Sequence, residues 1–265
     1  MYGIGYSLFN SLTFLGARGG SVDPDALSFI TAASITDPTQ QSAVNQLVVD
    51  LKAANLWTKM KAVYPFVGGS ASSHKWNLKD PRDLDAAFRL SFSGGWTHSA
   101  NGADPNGTNA YADTFFNPST WTNEHLSFYS GDNTATATGI DIGSVSSSSN
   151  RYLLSCGVSS TSSPLGAFVD PVVTSTDSAS GFHLVTVNGF EVKLYKGSTN
   201  TDTDTRGAGT PISAGNVWIG AANSIGYYSN RQARFASIGT GLSGTDVSNL
   251  YTAVQAFQTA LSRNV

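Results

Sequence analysis

The stretch "VTVNGFEVKLY", residues 185–195, limits the fold more than any other part of this chain. Val185 and Val187 alternate with Thr186 and Asn188; after Gly189 and Phe190, Val192 and Leu194 alternate with Glu191 and Lys193. Alternation of period two puts every second side chain on one face of an extended strand. Asn188-Gly189 between two such runs is the residue pair that tight hairpin connections favour. The stretch predicts a β-hairpin with one buried face.

Other runs of the same kind flank it. In "AAFRLSFSGGW", Phe88, Leu90 and Phe92 alternate with Arg89, Ser91 and Ser93. "HLSFYSG", "GIDIGSV", "RYLLSCGVS", "GAFVDPVV", "FHLVTVNG", "FEVKLYKG", "NVWIGAA" and "RQARFASIG" follow, separated by Gly, Asn, Asp, Pro and Ser. Many short strands between turn signals predict an antiparallel sandwich or jelly roll. Composition agrees. Only 12% of the 265 residues are charged, about half the usual share of a soluble domain. Uncharged Ser, Thr, Asn and Gly must then keep the surface wet, which suits strands and turns better than a helical bundle. It also suits a surface that packs against other copies or other proteins. With 40% hydrophobic residues the chain has enough apolar material for a core.

Two stretches break the β pattern. In "QQSAVNQLVVDLKAANLWTKMKAVYPF", Val44, Leu47, Val48, Leu51, Leu56 and Met60 recur at helical spacing. Thr36 or Asp37 would cap this helix, Pro38 suits its first position, and Pro65 with Gly68-Gly69 would end it. The preceding "DPDALSFITAASITDPTQ" reads as a linker. Near the far end of the sequence a helix is predicted from Gly244-Thr245, with Thr245 as cap. Val247, Leu250, Tyr251, Val254, Phe257 and Leu261 form its apolar face, to pack on the sheet or on the first helix. Residues 1–24 read as an extended arm, 25–69 as a helical segment on the sandwich, and 70–265 as the sandwich closing with its helix. The arm lacks the basic start of a secretory leader and is too interrupted by Gly, Ser and Asn to span a membrane. A cleaved leader is the alternative.

Most familiar chemistries find no footing. A net charge of −3 without a Lys/Arg run argues against nucleic acid. Cys156 is the single cysteine, so an intramolecular disulfide is excluded; it reads as a small buried strand residue. His74, His98, His125 and His183 lack metal-ligand spacing. Glu124 and Glu191 are far apart, and no acid pair for glycoside hydrolysis can be named. Asp80, Asp83 and Asp85 with Arg82 read as a charged turn. In "TDTDTRG", Asp202 and Asp204 place oxygens at alternate positions like the start of a calcium loop, without its later Glu. Calcium there is the only cofactor expectation. Trp76, Trp96, Tyr111, Trp121, Tyr129, Tyr227 and Tyr228 fall in or beside predicted loops. Exposed aromatic faces stack on sugars, and Trp121, Tyr227 and Tyr228 are the candidate carbohydrate contacts. Trp218, in "VWIG", reads as core.

The run from "FHLVTVNGFEVKLYKG" to "NVWIGAANSIGYYSNRQARFASIGTGLSGTDVSNLY" resembles the closing strands of LamG-like, concanavalin A-like domains. The turn at Tyr195 and Gly197, the Ile219-Gly220 strand, the Phe235–Ile238 strand and the loop and helix entry over 242–250 carry the likeness. It implies a lectin-like antiparallel sandwich. Residues 56–119, "LWTKMKAVYPFVGGSASSHKW" through "TFFNPS", are similar to a segment of tailed-bacteriophage structural proteins that precedes the same sandwich and the ending "YSNR…FASIG…LYTAVQAFQT". That likeness spans roughly residues 25–265. It implies a non-enzymatic virion component of capsid, fibre or tail. The arm would bind other virion proteins, the sandwich would display itself to host glycans, and copies would form homo-oligomers. The likeness supplies no catalytic residues, and the acid motif of sandwich-fold glucanases is absent.

Overall fold

A computed structural model describes residues 21–119, 123–133, 139–146, 151–156, 167–168, 172–173, 178–205, 215–223 and 227–265. Helices α1 (Pro24–Ala32) and α2 (Pro38–Ala53) begin alike, with proline in the first turn and an aspartate cap. Asp23 accepts from the Asp25 N–H at 2.9 Å, and Asp37 from the Gln40 N–H at 2.8 Å. The stretch read as a linker therefore contains a helix. The helix expected to run through Met60 ends at Ala53, just before Asn55 takes a φ of 57°. A 3-10 turn, Trp57–Lys59, then leads into strand β1 (Met60–Tyr64).

Helix α3 (Ala71–His74) precedes β2 (Ser91–Ser93), β3 (Trp96–Ser99), β4 (Gly102–Pro105), β5 (Tyr111–Asp113), β6 (Glu124–Ser130), β7 (Ile142–Val145) and β8 (Arg151–Leu154). Next come β9 (Ala167–Phe168) and β10 (Val172–Val173), which pair as a short ribbon. The chain continues through β11 (Gly181–Asn188), β12 (Glu191–Lys196), β13 (Thr199–Thr205), β14 (Trp218–Ile219), β15 (Ala233–Gly239) and helix α4 (Gly244–Ala260). The predicted hairpin is β11–β12, closed by Gly189 and Phe190 with Gly189 at φ 63°. Ser243, two residues ahead of the expected Thr245, caps α4 in a reciprocal box with Asp246. Lys59 pairs with that same Asp246 at 2.7 Å and ties the helix start to the approach of β1.

Two antiparallel sheets form the sandwich. The larger runs β13-β12-β11-β6-β15-β4-β3, with β1 also on β15; the smaller runs β2-β5-β14-β7-β8. The larger sheet is covered on both faces. Met60, Val63, Tyr129, Phe182, Leu184 and Phe235 face the helices, where they meet Leu47 and Leu51 of α2 and Leu250 and Val254 of α4. Ala62, Tyr64, Leu126, Phe128, Val185, Val187 and Ile238 point the other way, onto Ala112, Ile142, Tyr152, Leu154 and Ile219 of the smaller sheet. This division follows the pleat, and the register shift between Met60 and Ala62 on β1 moves the chain from one alternation to the other. Burial on both sides explains why β6 has no exposed position. No helix among the described residues is long and apolar enough to cross a membrane.

Candidate functional site

The smaller sheet differs from the larger one in its outer face. Among the described residues no helical residue contributes to either of its apolar clusters. Its central strand is β14, where Val217 and Ile219 flank Trp218 and are fully buried in the core. Alternation then turns Trp218 outward. In register beside it lie Asp113 of β5 and Gly143 of β7, and Ser91 of β2 lies beyond Asp113. Tyr111, two residues before Asp113, shares that outward face. Diagonal neighbours on one face of a sheet are within reach of aromatic side chains. The Tyr111 and Trp218 rings use that reach: they stack with centroids 3.9 Å apart and planes 13° from parallel. Both keep part of their surface in solvent.

Polar groups lie beside the stack. Asp113 Oδ1 accepts from the Phe115 N–H at 2.7 Å, and both carboxylate oxygens receive the Asn216 amide N–H at 3.2 Å. A carboxylate offers about four lone-pair sites, so acceptor capacity remains. Trp96 braces the site from within, its indole N–H donating to the carbonyls of Ser93 and Tyr111. Gly220, one residue beyond β14, has φ 83°, and a Cβ there would lie 2.9 Å from the Trp96 ring. That position requires glycine on two counts: the left-handed backbone and the ring behind it.

Gly220 also gathers the end of the sheet. Its N–H donates to the Asp141 carbonyl, and its own carbonyl accepts from the Ser229 N–H. Tyr228 bridges to Ile140, and the Tyr227 carbonyl accepts from the Ile140 N–H. Because Ile219 pairs with Ala112, Gly220 is level with Tyr111. The candidates Tyr227 and Tyr228 therefore lie at the same end of the same sheet as the Tyr111–Trp218 stack. Tyr227 is 43% exposed and Tyr228 half-buried. Beneath them Asp141 and Arg231 form an ion pair with no solvent contact, at 2.9 Å. Asp141 also accepts from Ser229 Oγ and the Cys156 N–H, which fixes the Tyr227–Ser229 segment. Cys156 is buried as expected.

Other sequence candidates part from this site. Trp121 lies outside the described residues. Tyr129 is not a loop aromatic but fully buried on β6, and Trp76 packs against the helical core. Trp218 is a surface residue rather than a core one; the alternation in "NVWIG" carried that signal.

Asp202 and Asp204 lie in strand β13, not in a loop. They pair with Leu194 and Val192, whose side chains point into the sandwich, so both carboxylates are on the inward side of an edge strand. Among the described residues no three His, Cys, Asp or Glu side chains converge to hold a metal ion. Glu124 is buried on β6, and Glu191 pairs with Lys193 at 2.8 Å.

The histidines serve packing. His74 and His98 bring their Nδ1 atoms within 2.9 Å. Burial first, then repulsion from His98 and Arg263, lowers the His74 pKa to about 3. Both rings belong to an aromatic chain with Phe66, Phe92 and Trp96 that closes one edge of the sandwich.

No family model and no curated protein sequence matches this chain. Solved structures with a similar course of the chain include domain 4 of AbnA, a GH43 extracellular arabinanase from Geobacillus stearothermophilus, in complex with arabinotriose. It is 12% identical with a TM-score of 0.47, over 72% of this chain and 98% of that one. Trypanosoma rangeli sialidase is 10% identical with a TM-score of 0.47, over 80% of this chain and 38% of its own. A structure of botulinum neurotoxin type C, described as entering cells through two ganglioside molecules, is 13% identical with a TM-score of 0.49, over 76% of this chain and 53% of its own. This chain thus spans well under two thirds of the sialidase and toxin chains. No residue role or ligand passes from these proteins to this one.

Proposed function

We propose that this chain is a non-catalytic β-sandwich that binds glycans at the aromatic end of its smaller sheet. The observation that carries this reading is the partly exposed Tyr111–Trp218 stack on the sheet face that no described helix covers, next to the acceptors of Asp113 and Asn216. Sugars present apolar C–H faces and hydroxyl edges. A site that takes them needs flat apolar surface with a few fixed polar groups, held before the ligand arrives. Here the pleat, the Trp96 brace and the Asp141–Arg231 pair hold them.

A hydrolase would need two carboxyl groups about 5–10 Å apart across the scissile bond. Among the described residues the patch offers Asp113 alone, which supports binding without turnover. The resemblance of residues 56–119 to tailed-phage structural proteins supports a place on a virion. There the arm, residues 1–24, would attach to other virion proteins and several copies would assemble.

A glycan array with purified protein, followed by titration of each hit against W218A and Y227A, tests the reading. Binding should fall about 5- to 150-fold in W218A, as about 1–3 kcal/mol of apolar ring contact is lost. Unchanged thermal melting would show that the fold survives, because Trp218 lies outside the core. Hits that bind W218A as tightly as the parent would refute the site. Turnover of any hit by the parent protein would refute the non-catalytic reading.

A further inference from the structure

The groups around the stack bear on which glycans fit, and this inference rests on the reading above. Among the described residues the charged group on the outer face beside Trp218 is the Asp113 carboxylate, its neighbour across the β5–β14 pair. Asn216 adds an amide with one N–H shared between the two Asp113 oxygens, a second N–H, and an Oδ1 that accepts from no described group. The free capacity of the pair is thus weighted toward accepting hydrogen bonds, with one amide N–H beside the carboxylate.

Among the described residues, the basic side chains nearest this face are paired elsewhere or stand apart from it. Arg231 is buried against Asp141. Arg89 pairs with Asp85 at 2.6 Å and with Asp83 at 3.5 Å, and its guanidinium lies over the Phe115 ring. Arg151 opposes Val145 on the edge strand β8, two strands away from Trp218. Among the described residues a carboxylated or sulfated sugar would meet a carboxylate and an amide, with no cation to pair its charge. An uncharged sugar would place hydroxyl protons on those same acceptors, and hydrogen bonds from hydroxyls to a carboxylate are among the stronger kind.

We infer that the Tyr111–Trp218 patch selects uncharged sugars by accepting adjacent hydroxyls on Asp113 and Asn216, and rejects sugars bearing carboxylate or sulfate. The aromatic stack supplies affinity, and Asp113 supplies the discrimination.

Matched probes that differ in charge test this: lactose against sialyllactose, and galactose oligomers against galacturonic acid oligomers. Each pair is titrated by tryptophan fluorescence or calorimetry. The neutral member should bind about tenfold tighter or more, the size of one hydrogen bond to a charged group. D113N keeps the shape and an acceptor oxygen for the Phe115 N–H. It should weaken the neutral member about tenfold and bring the two members of a pair within about threefold of each other. In 1 M salt the parent's deficit for the anionic member should shrink, because screening weakens repulsion at an open surface. An anionic member that binds as well as its neutral counterpart, or a preference unchanged in D113N, overturns the inference; loss of that binding in W218A would still leave the glycan site standing. Absence of binding to every probe and to every glycan on the array overturns both.

Discussion

Asp141 and Arg231 place two full charges where neither touches solvent. Removing charges from water is costly, and a buried pair repays that only when further hydrogen bonds satisfy both partners. Asp141 meets this condition through Arg231, Ser229 and Cys156. Breaking such a pair strands the surviving charge. D141N should therefore destabilise the fold by about 3–5 kcal/mol, measured as the change in unfolding free energy in urea. A loss below about 1 kcal/mol would mean that water reaches Arg231 in the folded protein. The same change should weaken glycan binding beyond its effect on stability, since one of the two oxygens shared by Ser229, Cys156 and Arg231 becomes a donor beneath the Tyr227–Ser229 segment. At this scale the sequence was only partly readable. Gly220 stands out in "VWIGAA", but the indole that packs behind it comes from Trp96, far away in the chain. No local pattern connects them.

Among the elements, legibility follows how local the causes are. The β11–β12 hairpin and strands β6, β7, β8 and β15 were evident because alternation and turn residues lie within each run. Strand β1 was concealed because Met60 and Val63 continue the helical spacing of α2; what ends the helix is the left-handed Asn55, a common helix-terminating conformation. Helix α1 was missed although Asp23-Pro24 repeats the start signature of Asp37-Pro38. Strand β13, "TNTDTDT", has no apolar residue to reveal it and exists by backbone pairing to β12. That polarity has a use. An edge strand exposes unpaired backbone groups, and charges directed inward discourage another strand from adding to it. The double change D202T/D204T should raise self-association, seen as a growth of scattering mass with concentration. A strictly monomer-like response matching the parent would show that the aspartates do not guard the edge.

For the molecule as a whole, buried histidines govern the response to acid. Burial is the first cause in each case: it takes His74 and His183 to about 3 and His125 to about 4, from an ordinary 6.5. The unfolded chain then takes up protons below pH 6.5 that the folded chain refuses. Stability is full above that pH, declines as pH falls through 5, and levels off near 3–4. At pH 5 each of these groups should cost up to about 2 kcal/mol, so urea midpoints measured at pH 7.5, 6 and 5 should drop steadily. A flat profile would mean that these rings accept protons without unfolding. The covering of the two sheets has a consequence of a different sort. The described chain begins at Ser21 on the side of α2, where the Asp23 N–H meets Asn45 and its carboxylate meets Lys52. Tyr111 and Trp218 look out from the opposite side of the sandwich. The molecule therefore has a back by which it can be held and a front that it shows. Copies fixed to beads through a single residue at the start of α1 would all turn the same way. Such beads should grip a polysaccharide surface about 10²–10⁴ times more firmly than the free protein does, whereas beads coupled at random through lysines should fall short of that.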